Sequence, residues 1–548
     1  MSFKDEVDVD AVAQAGLEKL GYKQEMTRSR GLVQILFKIE CFPTSDASNH
    51  GSPYVWAAIL INTATYPLVA FGLTSPMATS LVGGGPTVII WGWILVSVMT
   101  QTLAFSLAEI CSKYPTAAGA YYWCYRLASP RTRLLASWIN GWLTVVGGWT
   151  ADFSIKFGTA QLVVAGAGIY YPEWNATASQ TCKDPSCLNV DMIFLGVTAV
   201  AGIFCIFFNR LLPTVDIICA CWTGLGIIVI SICLLAKAGA GHRPVSFALG
   251  NFDPSFSGWT PGWSFFIGLL PWDWELNHVL AYTFSAIGMI ANMAEEVHNP
   301  SEILPKAITW SVPIGALSGV VFLLPILFTL PDVTTMLQVS SGQPIGLMFT
   351  LIMGSKAGGF GLWFIIFGIG MFCSISTSCA GSRATWAFAR DKAIPFYRYF
   401  SKINPYLEDV PVNAYALSSV IQVLLGLVYL GSSAAFNAFA GVAVMCLGAS
   451  YAMPVAISLM NGRQDMDDAP FNLGRFGTVI NAVAVLWIMF VTVLFSMPAV
   501  IPVTRWSMNY ASAVFVGFGV ISAVWYMISP PIQEEPTSSS GSSDSASY

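Results

Sequence analysis

Charged residues are scarce in this chain of 548 residues. Only 10% are Asp, Glu, Lys or Arg, 55% are hydrophobic, and the mean hydropathy is +0.64. Because soluble proteins carry about 25% charged residues, this composition excludes an ordinary soluble domain and indicates many membrane spans. The chain has no basic tract for nucleic acid. It also lacks the phosphate-loop pattern G-x-x-x-x-G-K-[ST], so nothing in it indicates an ATP-driven pump.

The two ends of the chain are polar. The N-terminal residues lack the apolar stretch of a cleavable signal, so we expect the first membrane helix to start insertion itself. We assign residues 1–53 to an N-terminal segment. The last residues, 529–548, are low in complexity, and we expect them to form a disordered tail.

Long hydrophobic runs fill the rest of the chain. A helix that crosses the bilayer needs about 20 apolar residues. Twelve segments, numbered here as spans 1 to 12, meet this requirement near 54–80, 87–110, 134–168, 191–209, 213–236, 262–294, 307–330, 358–388, 411–430, 435–460, 477–497 and 507–528. The sequence therefore predicts an all-α polytopic membrane protein with about 12 transmembrane helices.

Lysine and arginine are distributed unevenly between the loops. With the N-terminus inside, 19 of them lie on the inner side and five on the outer side, while Lys156 lies within span 3. Cytoplasmic loops carry such an excess, so we expect both termini in the cytoplasm. The loop that holds Cys182, Cys187 and the glycosylation acceptor Asn175 then lies outside. That side of a membrane permits both a disulfide and a glycan.

Spans 1 and 6 are interrupted by turn-forming residues. Span 1 contains Gly72, Thr74, Ser75 and Pro76, and span 6 contains "YTFSAIGMIAN". Secondary transporters often contain two inverted repeats whose first helices are broken at the membrane centre. We therefore predict two repeats, spans 1–5 (54–236) and spans 6–10 (262–460), followed by spans 11 and 12 (477–528). The alternative is that Gly and Pro are simply frequent in membrane helices.

An acid and a lysine lie within span 3. Asp152 and Lys156 are four residues apart, which places both on one helix face and favours an ion pair. Ionisable residues inside a membrane are costly and often belong to a coupling or substrate site. A purely structural ion pair is the alternative.

Three ordered motifs resemble those of the amino acid–polyamine–organocation permeases. They are "AEICSKYPTAAGAYYW" after span 2, "MAEEVHNPSEILPKAI" after span 6 and "SRATWAFARDKAIPF" at the end of span 8. Within this superfamily the chain looks most like the fungal amino acid/choline transporters, which include GABA, choline and polyamine permeases. The resemblance runs from about residue 20 to residue 528.

The resemblance implies a LeuT-type 5+5 inverted-repeat fold, usually proton-coupled uptake, and a substrate held between the unwound centres of spans 1 and 6. The matching residues are Gly72, Leu73, Thr74, Ser75, Phe284, Ser285, Ala286, Ile287 and Gly288. Many relatives have Gly-Tyr-Asp at 286–288, so the missing acid weakens the case for a cationic substrate. The resemblance also places Ser374, Thr377 and Ser378 of span 8 beside a cation site of sodium-coupled relatives. Hydroxyls in membrane helices more often form hydrogen bonds within the bundle.

Three acids end spans 2 and 6 on the inner side: Glu109, Glu295 and Glu296. Carboxylates are unfavourable at helix C-termini, so we expect them to pair with basic residues such as Arg383, Arg390 or Lys392 as a cytoplasmic gate. The alternative is solvated surface charge.

Two stretches, 38–68 and 272–281, interrupt the resemblance. Without residues 272–281, the 32-residue stretch from Trp263 to Ala294 becomes 22 residues, a normal span length. We interpret both stretches as retained introns or gene-model errors, which sequencing of the spliced transcript would test. The alternative is a genuine variant that uses residues 54–80 as its first helix and bends span 6, in which the two stretches lie beside the substrate site and disable transport.

The leading interpretation is a secondary-active permease, not an enzyme, for a small amine-bearing solute such as an amino acid, GABA, choline or a polyamine. We expect no cofactor, no metal and no nucleic acid. The expected partners are the solute, a coupling proton and the bilayer, at the plasma membrane or the vacuolar membrane. A non-transporting nutrient sensor and a channel are the alternatives. Oligomeric state is left open.

Overall fold

The computed structural model describes residues 3–26, 28, 67–74, 77–171, 190–239, 241–255, 257–269, 283–337, 344–407, 409–429, 433–498, 501, 503 and 508–528. Within these ranges the regular secondary structure is helical, and an isolated bridge joins Asn404 and Val410. The expected all-α fold class is confirmed. The predicted loop with Asn175, Cys182 and Cys187 lies outside the described residues. So do the tail, Ser75, residues 272–281 and nearly all of 38–68.

Ten long helices correspond to spans 2–5 and 7–12. In chain order they are Pro86–Lys113, Arg133–Gly168, Val190–Phe207, Leu212–Lys237, Pro300–Phe328, Lys356–Arg390, Val412–Tyr429, Ser433–Met460, Gly477–Leu494 and Ala511–Ile528. Eight helices of the described part are long and apolar enough to cross a membrane. The protein is therefore a polytopic helical membrane protein.

Spans 1 and 6 are each built from two short helical pieces. Among the described residues, span 1 contains Pro67–Thr74 and Met77–Gly84, and span 6 contains Pro261–Ile267 and the 3-10 helix Ile287–Glu296. The two interrupted spans contact each other closely. A Cβ atom on Gly83 would lie 2.1 Å from the Cα of Gly268, so only glycine permits this approach.

Spans 3 and 8 form the centre of the bundle. Span 8 packs against spans 1, 3, 4, 5, 6 and 9, and span 3 also contacts span 10. Span 3 has polar and ionisable residues in its middle, and these are enclosed by neighbouring helices rather than by lipid. Span 12, by contrast, buries only Ala511 and Ser522. The bundle thus encloses the polar residues of span 3 and leaves the apolar span 12 on its outside, as a membrane protein requires.

One end of the bundle carries clustered basic residues, among them Lys113, Arg383, Arg390 and Arg463. It is called here the basic end. Helix Ala120–Leu127 and the short turn Tyr397–Phe400 lie there, and so does the N-terminal helix Phe3–Lys19. Short helices at the opposite end are Val245–Gly250, Val333–Leu337 and Ile345–Met353.

Candidate functional site

The breaks of spans 1 and 6 lie side by side in the bundle. A Cβ atom on Gly72 would stand 2.6 Å from the Thr283 hydroxyl oxygen, so span 1 needs glycine where it meets span 6. Leu73 is buried, whereas Thr74 ends the helix and its side chain lies outside the described part. The structure therefore places Gly72 at a contact between the two interrupted spans, and Leu73 is buried beside it.

Aromatic rings enclose the break in span 6. Phe284 stacks on Trp93 of span 2, with ring centroids 4.8 Å apart. Ile287 is buried and Ala286 is half-buried. A Cβ atom on Gly288 would lie 2.2 Å from the ring of Tyr451 in span 10, so a larger residue at 288 would collide with that ring. The backbone at residues 284–288 is thus held by spans 2 and 10.

A cavity of about 30 Å³ adjoins the span 6 break. Its lining includes Thr100, Phe284, Ser285, Tyr451 and Trp487. This volume is enough for one or two water molecules and too small for an amino acid. This cavity is therefore closed to solutes in this conformation.

Asp152 and Lys156 form a buried ion pair, with 2.9 Å between Lys156 Nζ and Asp152 Oδ2. Thr377 and Ser378 of span 8 each donate a hydrogen bond to Asp152 Oδ1, at 2.9 Å and 3.1 Å. Gln422 of span 9 donates to Asp152 Oδ2 at 2.8 Å and accepts from Lys156 at 2.7 Å. Spans 3, 8 and 9 therefore meet in one hydrogen-bonded network.

Gln422 was missed by the sequence analysis. It is 1% exposed and completes the network from the mainly apolar span 9. A long polar side chain in the middle of an apolar span was the available signal, because such a group needs a partner in the membrane.

Ser374 occupies a different position from Thr377 and Ser378. Its hydroxyl donates to the carbonyl of Gly370 at 2.9 Å and lies 3.4 Å from the Thr159 hydroxyl. A Cβ atom on Gly370 would stand 2.9 Å from the ring of Phe71, a residue next to the span 1 break. The span 8 hydroxyls thus extend from the Asp152 network toward span 1.

Three enclosed ion pairs are found at the basic end of the described bundle. Arg383 Nε binds Glu296 at 2.8 Å, and Arg390 binds Glu295 through two nitrogens at 2.9 Å and 3.2 Å. Glu109 pairs with Arg463 at 2.6 Å. The three carboxylates are 0%, 1% and 6% exposed for Glu109, Glu295 and Glu296, so they are enclosed rather than solvated surface charges.

The partner of Glu109 differs from the basic residues considered in the sequence. Arg463 lies in the loop between spans 10 and 11, where its backbone adopts a φ of +59°. Glu109 also accepts a hydrogen bond from the backbone N–H of Leu473 at 2.8 Å. Lys392 is exposed in a turn. Packing of span 2 against this loop, which local sequence cannot reveal, selects Arg463 as the partner.

Arg383 joins three parts of the molecule. Besides Glu296, its Nη2 donates to the side chain of Asn209 between spans 4 and 5 at 2.9 Å, and its Nη1 donates to Ser382 at 3.1 Å. The planar guanidinium presents its N–H donors in a rigid fork, so it binds acceptors that lie in fixed, different directions. Span 8 is thereby tied to span 6 and to the loop after span 4.

Comparison with known proteins agrees with this architecture. Residues 55–520 match the amino acid permease family. The chain is 33% identical to a polyamine transporter of Saccharomyces cerevisiae, over 81% of this chain and 70% of that protein. It is 30% identical to an amino-acid permease of Arabidopsis thaliana, over 94% of both chains. A choline transporter of Saccharomyces cerevisiae is 30% identical, over 83% of this chain and 77% of its own length. The chain with these paired helix breaks and enclosed ion pairs belongs to the amino acid permease family.

Proposed function

We propose that this permease is a proton-coupled secondary transporter of a small amine-bearing solute and that it works by alternating access. Membership of the family already establishes membrane transport of small solutes rather than enzymatic catalysis. The solute, the coupling ion and the transport cycle are the proposal. Relatives named as amino acid, choline and polyamine transporters define the candidate solutes.

The observation that carries the proposal is the Asp152–Lys156 network. It lies at a junction of spans 3, 8 and 9, and span 8 also packs on span 1. Charged groups inside a membrane are expensive and mark ion or substrate pathways. Because the network joins several helices, gain or loss of a proton within it would change how these helices pack against one another.

The ion pairs at the basic end support a closed gate on that side. Glu295 and Glu296 belong to span 6, and their partners Arg390 and Arg383 belong to span 8. In alternating access one group of helices rocks against another, so these pairs would separate when the basic end opens. The closed state is then one of two discrete packings rather than a continuum.

The charge near the helix breaks favours a solute with a carboxylate. Asp152 is already neutralised by Lys156, and residues 286–288 carry no acid. Unwound helix ends expose backbone N–H groups that bind carboxylates. Among the candidate solutes we therefore favour amino acids, including GABA, over polyamines.

Uptake of radiolabelled solutes by vesicles that contain the purified chain tests the proposal. We expect saturable, concentrative uptake of an amino acid that collapses when a protonophore removes the proton gradient. Concentrative uptake that ignores the gradient would refute proton coupling. Absence of uptake for amino acids, GABA, choline and polyamines would favour the nutrient-sensor alternative.

The same assay addresses residues 38–68 and 272–281. The chain with both stretches and the chain without them are compared at equal protein density. Uptake by the shortened chain alone would identify the longer chain as a transport-inactive product. Equal uptake would identify a genuine variant.

A further inference from the structure

The N-terminal segment is docked on the basic end of the bundle. It consists of helix Phe3–Lys19 and the extended residues that follow, and Leu17 and Met26 are 4% and 5% exposed. Met26 packs in one cluster with Ala117, Trp386 and Ala414. Because Leu17 and Met26 are buried against the bundle, this part of the segment forms a specific contact.

Two residues of this segment bind the end of span 6. The Gln24 side chain donates to the carbonyl of Glu295 at 2.7 Å, and Arg28 donates to the carbonyl of Val297 at 2.8 Å. Arg28 also donates to Gln24 at 2.9 Å, which fixes the two side chains together. Carbonyls at a helix C-terminus lack N–H donors within their own helix. Gln24 and Arg28 therefore supply the donors for two carbonyls at the end of span 6.

Tyr22, a third residue of the segment, binds the end of span 8. The guanidinium of Arg390 lies 4.4 Å from the ring centres of both Tyr22 and Trp386. The Tyr22 hydroxyl donates to Asp391 at 3.0 Å, and the Tyr121 hydroxyl donates to the same oxygen at 2.7 Å. Because Arg390 also binds Glu295, Tyr22 rests on the ion pair that joins spans 6 and 8.

The segment therefore bridges the two spans that would have to separate. It holds span 6 through Gln24 and Arg28, and it holds span 8 through Tyr22. It cannot keep all of these contacts if Glu295 and Arg390 move apart. Any ligand or segment that binds one state more tightly than the other shifts the equilibrium toward that state.

Space for movement exists beside the segment. A cavity of about 610 Å³ lies between it and the bundle, and its lining includes Leu17, Leu20, Lys113, Glu295 and Ser301. The segment is thus attached through a few directional contacts with open volume along one side. Such a contact can release without unpacking the bundle itself.

We propose that residues 17–26 together with Arg28 are a latch: they hold the basic end closed and must undock before spans 6 and 8 can separate there. The latch rests on the proposed transport cycle, to which it adds Tyr22, Gln24 and Arg28 as positioning residues of the gate. Through Tyr22 the latch acts on the Glu295–Arg390 pair, which makes that pair stronger when the segment is docked.

The accessibility of Cys379 measures the opening of the basic end. Cys379 is 4% exposed, and its carbonyl accepts from the gate residue Arg383. We compare the rates of its alkylation by the membrane-permeant reagent N-ethylmaleimide in the full chain, with each cysteine quantified by mass spectrometry. Cys446 of span 10 is 1% exposed and serves as the internal reference for general unfolding.

Tyr22→Ala and Arg28→Ala should each raise the alkylation rate of Cys379 about 5- to 10-fold, the effect of losing one charge-assisted contact. Tyr22→Phe keeps the ring over Arg390 and should give a smaller rise. Gln14→Ala, a change on the exposed side of the N-terminal helix, should give none.

Unchanged Cys379 rates in both alanine variants would overturn the latch. An equal rise at Cys446 would overturn it as well, because the segment would then stabilise the whole fold and not the gate. Alkylation requires no transport, so this outcome is separate from that of the uptake assay. Lack of solute uptake would refute the proposed function even if the Cys379 rates respond.

Discussion

At the scale of single residues, the molecule depends on side chains that satisfy one another inside a membrane. Asp152 has four partners, namely Lys156, Thr377, Ser378 and Gln422. A buried charge pair contributes little net stability, but the loss of one member leaves the other charge uncompensated. Replacement of one charged residue of this pair should therefore lower the stability of the protein more than replacement of both charged residues together.

Lys156→Met should lower the stability of the protein by about 3–5 kcal/mol, because it leaves the Asp152 carboxylate buried without a counter-charge. The double variant Asp152→Asn with Lys156→Met should recover part of this loss, because neither charge remains. Thermal unfolding in detergent, followed by thiol-reactive dye fluorescence, ranks the variants. A double variant that melts below the Lys156→Met variant would contradict the expectation.

Gly288→Ala should reduce uptake strongly, since its Cβ would overlap the Tyr451 ring and overpacking costs about 1–3 kcal/mol. Tyr451→Leu in the same chain should restore part of the activity by removing that ring. The matched control is Gly148→Ala in span 3, where a Cβ atom would meet nothing within 4 Å. Initial uptake rates at equal protein density give the result, and no difference between the two glycine variants would refute the collision.

At the scale of elements, long-range contacts at the basic end hold helices that are distant in sequence. Glu109 ties span 2 to Arg463 and Leu473 after span 10, whereas Arg383 ties span 8 to span 6. Each of these contacts needs residues from two parts of the chain, so neither helix can form it alone. These ties set the relative positions of helices rather than the stability of any one of them.

Arg463→Gln should lower the melting temperature clearly, because Glu109 would remain buried with its charge uncompensated. Lys306→Gln is the control: its ion pair with Glu302 is about half exposed, and such pairs are worth about 0–1 kcal/mol. Melting curves of the two variants in one detergent provide the comparison. Equal shifts would show that the enclosure of Glu109 does not matter.

At the scale of the whole molecule, we predict the orientation in the membrane from the distribution of basic residues. The 19 lysines and arginines assigned to the inner side include those that surround the basic end. The closed gate and the docked latch would then face the cytoplasm, and the solute path would be blocked on that side.

Asn175→Gln should abolish a glycosidase-sensitive mass shift of the chain expressed in a eukaryotic cell, because Asn175 is expected in an outer loop. Thr177→Ala should give the same loss, since it destroys the same acceptor pattern and keeps the asparagine. Asn472→Gln, outside any such pattern, should leave the shift unchanged. A native chain without a glycan would remove this support for the orientation.

The sequence predicted the interrupted spans because helix length and turn-forming residues are local properties. It identified Asp152 and Lys156 as neighbours because their spacing on one helix decides the pair. It missed Gln422, selected other candidates than Arg463, and assigned no contact to Tyr22 or Arg28. Each of these depends on which distant helix packs alongside, and a single sequence carries no record of that packing.

The i,i+4 spacing of Asp152 and Lys156 also bears on how the protein is made. Because both residues belong to one helix, they can pair as soon as span 3 forms, before spans 8 and 9 have been made. The insertion machinery then meets a nearly neutral segment instead of an isolated lysine, whose transfer alone costs about 3 kcal/mol. Only later do spans 8 and 9 supply the remaining hydrogen bonds. The spacing of these two residues thus allows span 3 to insert as a nearly neutral segment.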